Sequence, residues 1–147
     1  MKLNQAGIDL IKSFESLRLE AYPDPGTGGD PWTIGYGHTE GVSQGDTCTE
    51  DEANEFLQND LSKFIQGVTD LLTVELNDNQ FSSLISFAFN CGLHNLSGST
   101  LLREINDSNF NHIEKNFEMW DRAAGKVMTG LFRRRKAEAD LFMTEIS

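Results

Sequence analysis

The chain is poor in several residue types, and each shortage excludes a class of protein. Its 147 residues include three prolines and two cysteines, Cys48 and Cys91, which do not form a CxxC pair. That pair is typical of structural zinc sites, so we expect no metal site. We also expect both thiols to be reduced, because the sequence shows no export signal that would bring the chain into an oxidising compartment.

Long apolar runs are also missing. No stretch approaches the ~20 consecutive apolar residues that a membrane span requires. The first fifteen residues include Asp9 and have the spacing of an amphipathic helix rather than of a signal peptide. We therefore expect neither a membrane-bound segment nor an export route encoded in the chain itself.

Basic residues are scarce in the first two-thirds of the chain. Residues 1–100 contain 15 acidic and 4 basic side chains, whereas residues 101–147 contain 8 of each, so the net charge of −11 comes from the first part. This balance argues against nucleic-acid binding, because the phosphate backbone attracts basic surfaces. The basic run Arg133–Lys136 is an exception. Acidic Glu138 and Asp140 follow it closely, so we interpret the run as one side of a helix.

Apolar periodicity predicts a mainly helical protein. Thr49 and Glu52 have the spacing of a capping box at the start of a long helix, and Asn77 and Gln80 repeat it before a helix that is apolar on most sides. Asn4 is a candidate N-cap of the first helix. The predicted helices cover residues 4–15, about 50–72, 77–91, 99–106, 109–120 and 130–145.

A β-containing segment lies between the first two helices. All three prolines fall between residues 23 and 31, and the β-forming stretch Trp32–His38 follows them. We predict that this stretch is one strand of a sheet of two or three strands. Gly35 and Gly37 would leave one face of the strand open to a close neighbour.

These elements predict an α+β fold in a single domain over residues 1–147. At this length the chain can bury about two-thirds of its unfolded surface. A small β-containing lobe would occupy about 15–48, a connecting helix about 50–72, and a larger helical lobe residues 1–14 with about 75–147. We expect a cleft between the lobes, which is a common place for ligand sites.

Two carboxylates near the N-terminus suggest a specific chemistry. Glu15 follows Ile8 and Ile11 on the apolar stripe of the first helix, where a hydrophobic residue is expected. Most carboxylates on helices are solvated surface groups, but a position on the apolar stripe favours a functional one. Asp24 lies nine residues later in a Pro/Gly turn. Two carboxylates on different elements are what acid-assisted cleavage of a glycosidic bond requires.

Several motifs occur in an order that is typical of one family. The pattern E…Y-x-D…W-T-I-G-Y-G-H-T runs from Glu15 to Thr39, N-x-x-Q-F-x-x-L-x-S-F-A-F-N covers Asn77–Asn90, and G-K-V-x-x-G-L-x-R-R-R covers Gly125–Arg135. In these motifs the chain resembles the T4-type and lambdoid phage lysozymes, glycoside hydrolase family 24. The resemblance implies a lysozyme-like fold and an endolysin. Such an enzyme hydrolyses the β-1,4 bond between N-acetylmuramic acid and N-acetylglucosamine in peptidoglycan.

The resemblance also implies a role for each candidate catalytic residue. Glu15 would be the general acid, Asp24 the carboxylate that positions or activates the attacking water, and Thr33 the hydroxyl that helps to hold this water. A general acid must carry its proton when it acts, which an apolar setting favours. The turn that contains Asp24 should be wetter, which favours an ionised carboxylate.

Four further residues match supporting positions in the family. Arg134 matches a buried arginine that pairs with the catalytic glutamate, although the basic run alone would also suit a surface charge. His38 matches a hydrogen-bonded structural histidine, and we prefer that role to a catalytic base or a metal ligand. Phe89 and Asn90 match positions that contact sugars.

The sequence also departs from the family and leaves alternatives open. Ser16 replaces the usual glycine after the glutamate, and the spacing from Asp24 to Thr33 is longer than in the shortest members. The acidic charge is unlike that of the many basic lysozymes. The resemblance favours inversion at the anomeric carbon, but sequence alone does not decide it. A chitinase-like or lytic transglycosylase activity is one alternative, and a non-catalytic glycan-binding or phage structural module on the same fold is another.

The family resemblance sets the remaining expectations about partners and location. Peptidoglycan glycan strands would be the substrate, acted on by a monomer without cofactor or metal. Nucleic acid and membrane would not be partners. The protein would accumulate in the bacterial cytoplasm and reach the periplasmic cell wall after a separate holin-type membrane protein disrupts the membrane.

Overall fold

The computed structural model describes residues 1–146, and helices dominate this part of the chain. The elements in chain order are α1 Gln5–Phe14, β1 Arg18–Tyr22, β2 Thr33–Gly35, α2 Glu50–Leu71, α3 Asp78–Cys91, α4 Leu93–Ser97, α5 Thr100–Asn106, α6 Ile113–Glu118, β3 Arg122–Ala123, β4 Lys126–Val127 and α7 Thr129–Met143. Both pairs of strands are antiparallel. The predicted mainly helical α+β class is confirmed. Among the described residues, no helix is both long enough and apolar enough to cross a membrane.

The chain forms two compact units. The small unit is Lys12–Lys63, and the large unit is Met1–Ile11 together with the chain from Phe64 onward. The boundary falls within α2, so this helix contributes residues to both units.

Side-chain caps explain where three helices begin. The N–H of Gly7 donates to Oδ1 of Asn4 (3.0 Å), which confirms Asn4 as the cap of α1. In front of α2, Glu52 N–H donates to Thr49 Oγ1 (3.1 Å) and Thr49 N–H donates to Glu52 Oε1 (3.0 Å). Asn77 and Gln80 form the same reciprocal pair before α3. Each pair satisfies two N–H groups that the helix leaves without partners.

The sheet of the small unit combines two strands with one extra bridge. Arg18 pairs with Gly35 and Tyr22 with Thr33, with an irregular register between them. On the other edge of β1, Cys48 N–H donates to the Leu19 carbonyl (2.9 Å). The predicted sheet is therefore confirmed.

The predicted strand Trp32–His38 was wrong beyond Gly35. The chain reverses there, and Ile34 and His38 exchange two backbone hydrogen bonds of 2.9 Å. Gly35 and Gly37 have φ of 67° and 85°, a region that a residue with a Cβ rarely adopts. The alternating glycines thus make a tight turn rather than an open strand face.

The core of the large unit is built around α3, as its apolar sequence predicts. Residues 81–88 of this helix are all buried. Helix α7 packs against both α3 and α6. Phe87 of α3 meets Phe117 of α6 edge-on, with ring centroids 5.9 Å apart.

Several short elements differ from the sequence prediction. Helix α4 and the β3–β4 hairpin were missed, since five- and two-residue elements are too short to show periodicity. The predicted helix 109–120 is observed as Ile113–Glu118. The predicted helix 130–145 is observed as Thr129–Met143, and Gly125 (φ 79°) lies in the turn between β3 and β4.

Candidate active site

Glu15 lies immediately after the last residue of α1 and is half-buried. Its carboxylate approaches Gly37, where an added Cβ would lie 3.5 Å from Oε2. A side chain at position 37 would therefore cover one side of this carboxylate. The glycine that makes the turn after β2 also leaves space beside the proposed acid.

Asp24 lies two residues beyond β1, in a turn that its own carboxylate stabilises. Oδ2 accepts hydrogen bonds from the N–H groups of Gly26 (3.0 Å) and Thr27 (3.1 Å). The backbone closes the same turn, because Gly28 N–H donates to the Asp24 carbonyl (2.8 Å). Both carboxylate bonds use Oδ2, so Oδ1 can still accept a bond from water.

Thr33 begins β2 and is held close to the Asp24 turn by strand register. It pairs with Tyr22, the last residue of β1, and Asp24 follows Tyr22 by two residues. Thr33 and Asp24 are therefore at the same end of the sheet, and both are partly exposed. This end of the sheet thus carries both a hydroxyl and a carboxylate.

His38 has the contacts of a structural residue. Its Nδ1 lies 2.8 Å from Asp60 Oδ2, and its ring stacks on Phe56 with centroids 4.4 Å apart and planes 9° apart. Only 12% of the side chain is exposed. Asp60 and Phe56 belong to α2, so His38 connects the turn after β2 to that helix. Within residues 1–146, no group of three or more His, Cys, Asp or Glu side chains could hold a metal ion.

In the large unit, the basic run of α7 divides between surface and core. Arg134 and Arg135 are buried, whereas Arg133 and Lys136 are exposed. Arg134 is only 3% exposed, and it donates from Nη2 to the backbone carbonyl of Ser86 (3.2 Å). The interpretation of Arg134 as a surface charge was therefore wrong. Its pairing with Glu15 stays a prediction.

A buried ionic cluster surrounds Glu138, which sequence reasoning did not assign to any site. Its Oε2 accepts from Ser86 Oγ (2.6 Å) and Arg135 Nη2 (3.1 Å), and Arg134 Nε lies 3.4 Å away. Burial raises the pKa of Glu138, and the two guanidinium groups and the Ser86 hydroxyl act in the opposite direction. The spacing of Glu138, three and four residues after the arginines, was the available signal.

The two predicted sugar-contacting residues lie in the last turn of α3. Phe89 is half-buried and meets Phe64 edge-on at 5.3 Å. Asn90 is exposed, and its Oδ1 accepts a hydrogen bond of 2.9 Å from Arg135 Nη2. The next residue, Cys91, has a free thiol, and burial raises its pKa. Cys48 is also free.

Comparison with known proteins identifies the family. The model of the phage lysozyme family matches residues 12–138, a range that includes every candidate site residue. The chain belongs to the phage lysozyme family. In structure, the chain is similar to the muramidase domain of SpmX from Asticaccaulis excentricus, with a TM-score of 0.90 and 36% identity, covering 98% of this chain and 99% of that one.

Two phage proteins illustrate the relationship in sequence. The chain is 43% identical over 145 residues to an endolysin of Bacillus phage B103, covering 98% of this chain and 55% of that protein. It is 37% identical over 149 residues to an endolysin of Salmonella phage P22, covering 98% and 99%. The chain thus spans about half the length of the Bacillus phage relatives that it matches.

Proposed function

We propose that the chain is an endolysin with lysozyme (N-acetylmuramidase) activity. It would hydrolyse the β-1,4 bond between N-acetylmuramic acid and N-acetylglucosamine in bacterial peptidoglycan and so take part in host cell lysis. The observation that carries this proposal is the phage lysozyme match over residues 12–138, which includes Glu15, Asp24 and Thr33. The partial exposure of all three side chains supports it, because substrate and water must reach them.

Glu15 acts as the general acid in the proposed reaction. Its proton passes to the glycosidic oxygen, which leaves as the 4-hydroxyl group of N-acetylglucosamine when the bond to C1 of N-acetylmuramic acid breaks. The space beside its carboxylate at Gly37 suits this role. A side chain positioned to transfer a proton in this way contributes roughly 10²–10⁴-fold to the rate.

Asp24 and Thr33 act on the attacking water. Asp24 accepts a proton from this water as its oxygen bonds to C1, and the Thr33 hydroxyl holds the water in place. The strand register that places both residues at one end of the β1–β2 sheet supports a shared water. Proton exchange with solvent then returns Glu15 and Asp24 to their starting states.

Direct attack by water inverts the configuration at C1. Inverting enzymes hold their carboxyl groups ~6.5–9.5 Å apart, which leaves room for the water, whereas retaining enzymes hold theirs ~5–5.5 Å apart. We propose inversion here, as the family resemblance implies. Proton NMR of the first product from β-linked glycan should show the α-anomer, and a β-anomer would indicate retention.

Phe89 and Asn90 contribute glycan contacts in this proposal, and His38 has a positioning role. The exposed amide of Asn90 can hydrogen-bond a sugar, and the Phe89 ring offers an apolar surface. His38 keeps the turn that carries Gly37 attached to Asp60 of α2. It therefore acts through the geometry of the turn rather than on the substrate.

A turbidity assay tests the proposed function. Bacteria with a permeabilised outer membrane should clear when the purified protein is added, and isolated sacculi should release soluble fragments. Binding to sacculi without release of fragments would instead identify a non-catalytic glycan-binding module.

Delivery through a separate membrane protein is part of the proposal, as the family resemblance implies. Cells that express the chain alone should remain intact, and they should lyse when a membrane-disrupting agent such as chloroform is added. Lysis on expression alone, with active enzyme recovered from the periplasm, would contradict this route.

A further inference from the structure

One fully buried arginine outside the proposed catalytic set connects the core to an exposed residue. Arg135 has no exposed side-chain surface, yet its Nη2 donates to Oδ1 of exposed Asn90 (2.9 Å). Asn90 is one of the two proposed glycan contacts.

The Arg135 guanidinium is held on several sides. It lies over the Phe87 ring, 5.0 Å from the centroid, and Nη1 contacts the Cys91 sulfur. Its Nε lies 2.7 Å from Glu138 Oε1, an ionic contact that is not aligned as a hydrogen bond, and Nη2 donates to Oε2 (3.1 Å). Because these contacts fix the guanidinium, its Nη2 donor has one position relative to Asn90.

The chemistry of the two groups sets the orientation of the Asn90 amide. Arginine has five N–H donors and no acceptor, so only the oxygen of Asn90 can face it. The Asn90 nitrogen must then point away from Arg135. Because Asn90 is exposed, its two N–H donors are available to an acceptor outside the protein.

Stability alone does not explain the buried ionic cluster of Arg134, Arg135 and Glu138. Replacing a buried ion pair with apolar residues of similar volume is often neutral or stabilising, because two charges must be removed from water. Arg134, Arg135 and Glu138 nevertheless occupy buried positions of α7. A cluster that orients a functional side chain has a reason to be charged, since an apolar residue could not hold the Asn90 oxygen.

We infer that Arg135 is a positioning residue for glycan binding. It fixes the Asn90 amide so that Nδ2 donates to an oxygen acceptor of an N-acetylated sugar, such as an acetamido carbonyl or a hydroxyl oxygen. This inference rests on the proposed function, because it takes Asn90 as a glycan contact. It assigns a role to Arg135 and an orientation to the Asn90 amide, neither of which follows from the three catalytic candidates.

Substitutions at Asn90 test the direction of the amide. Asn90→Asp keeps an acceptor for Arg135 but removes both N–H donors, and the position is exposed, so the fold should survive. We expect KM for soluble glycan fragments to rise about five- to tenfold, the range of one lost hydrogen bond, with kcat within about twofold. Asn111→Asp, at another exposed position of the large unit, is the matched control and should change neither constant. An unchanged KM in Asn90→Asp would overturn the inference.

A double-mutant cycle tests whether Arg135 acts through Asn90. Arg135→Lys keeps the charge but loses the planar group that holds the amide. It should raise KM several-fold in the natural background and have no further effect on KM in an Asn90→Ala background. An equal effect in both backgrounds, or a lower active fraction at unchanged KM, would show a structural role only.

A measurement on the unmodified protein covers the case in which Arg135→Lys does not fold. The side-chain amide of Asn90 should appear in ¹⁵N NMR as rigid as the backbone of α3, and its signals should shift on titration with tri-N-acetylchitotriose. A mobile amide, or signals that do not shift when the sugar binds, would overturn the inference. If the protein does not cleave peptidoglycan at all, the proposed function fails instead, and the two failures are distinguishable.

Discussion

The two units use the same side chain, glutamate, in opposite ways. Glu15 of the small unit lies at a helix end, half-buried, with a glycine beside its carboxylate. Glu138 of the large unit is fully buried within a helix, among two guanidinium groups and a serine hydroxyl. A carboxylate that transfers a proton needs access to the substrate, whereas a buried one must be paired. The two environments suit the proton-transfer role proposed for Glu15 and a structural role for Glu138.

The two units also differ in backbone structure. The small unit contains all three prolines and five glycines with positive φ, so turns make up much of it. The large unit is mostly helix around a buried α3. Functional groups are common on turns that a rigid scaffold holds. Substitutions in the small unit should therefore change activity more than stability, and core substitutions in the large unit should do the reverse.

Glu15→Gln should give the largest effect. It keeps the shape of the side chain but removes the transferable proton, so the lytic rate should fall by at least ~10²–10⁴-fold. Glu20→Gln, at an exposed carboxylate of β1, is the control and should keep full activity. More than a tenth of the natural rate in folded Glu15→Gln would remove Glu15 from the role of acid.

Asp24→Asn and Thr33→Ala should lower kcat much more than they raise KM, since their partner is the attacking water rather than the resting sugar. Asparagine can still accept the bonds from the Gly26 and Thr27 N–H groups, so the turn should persist. Steady-state kinetics on soluble glycan fragments measures both constants. Asp30→Asn, in the same turn, should change neither. A higher KM at unchanged kcat would reassign the residue to substrate binding.

Glu138→Gln should mainly change stability. It removes the carboxylate charge that faces the fully buried Arg135 guanidinium, and breaking one side of a buried ion pair typically costs about 3–5 kcal/mol. Urea unfolding measures the loss. Glu114→Gln breaks only the exposed pair with Lys136 and should cost less than about 1 kcal/mol. Equal losses in the two variants would show that burial does not distinguish them.

Gly7→Ala should destabilise the large unit by about 1–3 kcal/mol, because overpacking forces neighbours apart. A Cβ at this position would lie 2.5 Å from the Ser82 Cβ, which cannot move without its helix. Thermal unfolding shows the change as a lower Tm. Gly98→Ala serves as the comparison, since nothing lies within 4 Å of an added Cβ there, and its Tm should stay nearly the same.

The smallest effect concerns Glu104, a partly buried carboxylate of the large unit. Hydrogen bonds from His112 and Asn116 lower the pKa of Glu104 below its ordinary value. A lowered folded-state pKa contributes stability above the unfolded-state value, and this contribution is lost as pH falls through the folded-state pKa. Glu104→Gln should therefore be less stable than the natural protein at pH 6, and the difference should shrink on acidification. A difference that does not change with pH would exclude this linkage.

Local signals predicted those parts of the fold that depend on neighbours in sequence. The caps at Asn4, Thr49 and Asn77 are such cases, because each involves a partner three residues away. The sequence did not reveal which members of the Arg133–Lys136 run face the core, since that depends on Glu138 and on the distant Ser86. The turn within the predicted strand Trp32–His38 was missed because the β-forming residues of this stretch favour a strand. The sequence does not show that its glycines adopt positive φ.

For the candidate site too, local motifs name individual residues but not the contacts that packing creates. The family motifs nominate Glu15, Asp24 and Thr33, whose roles stay predictions, and strand register brings the last two to one end of a sheet. The link from Arg135 to Asn90 joins residues 45 positions apart, and only the packing of α7 against α3 creates it. Contacts of this kind have no local signal in a single sequence.

The chemistry of the cleaved ends tests the central claim most directly. Purified peptidoglycan is digested, reduced with borohydride and analysed by mass spectrometry. The account predicts new reducing ends on N-acetylmuramic acid, which become muramitol, and their absence with Glu15→Gln. Reducing ends on N-acetylglucosamine, 1,6-anhydro ends typical of a lytic transglycosylase, or unchanged products from Glu15→Gln would contradict it.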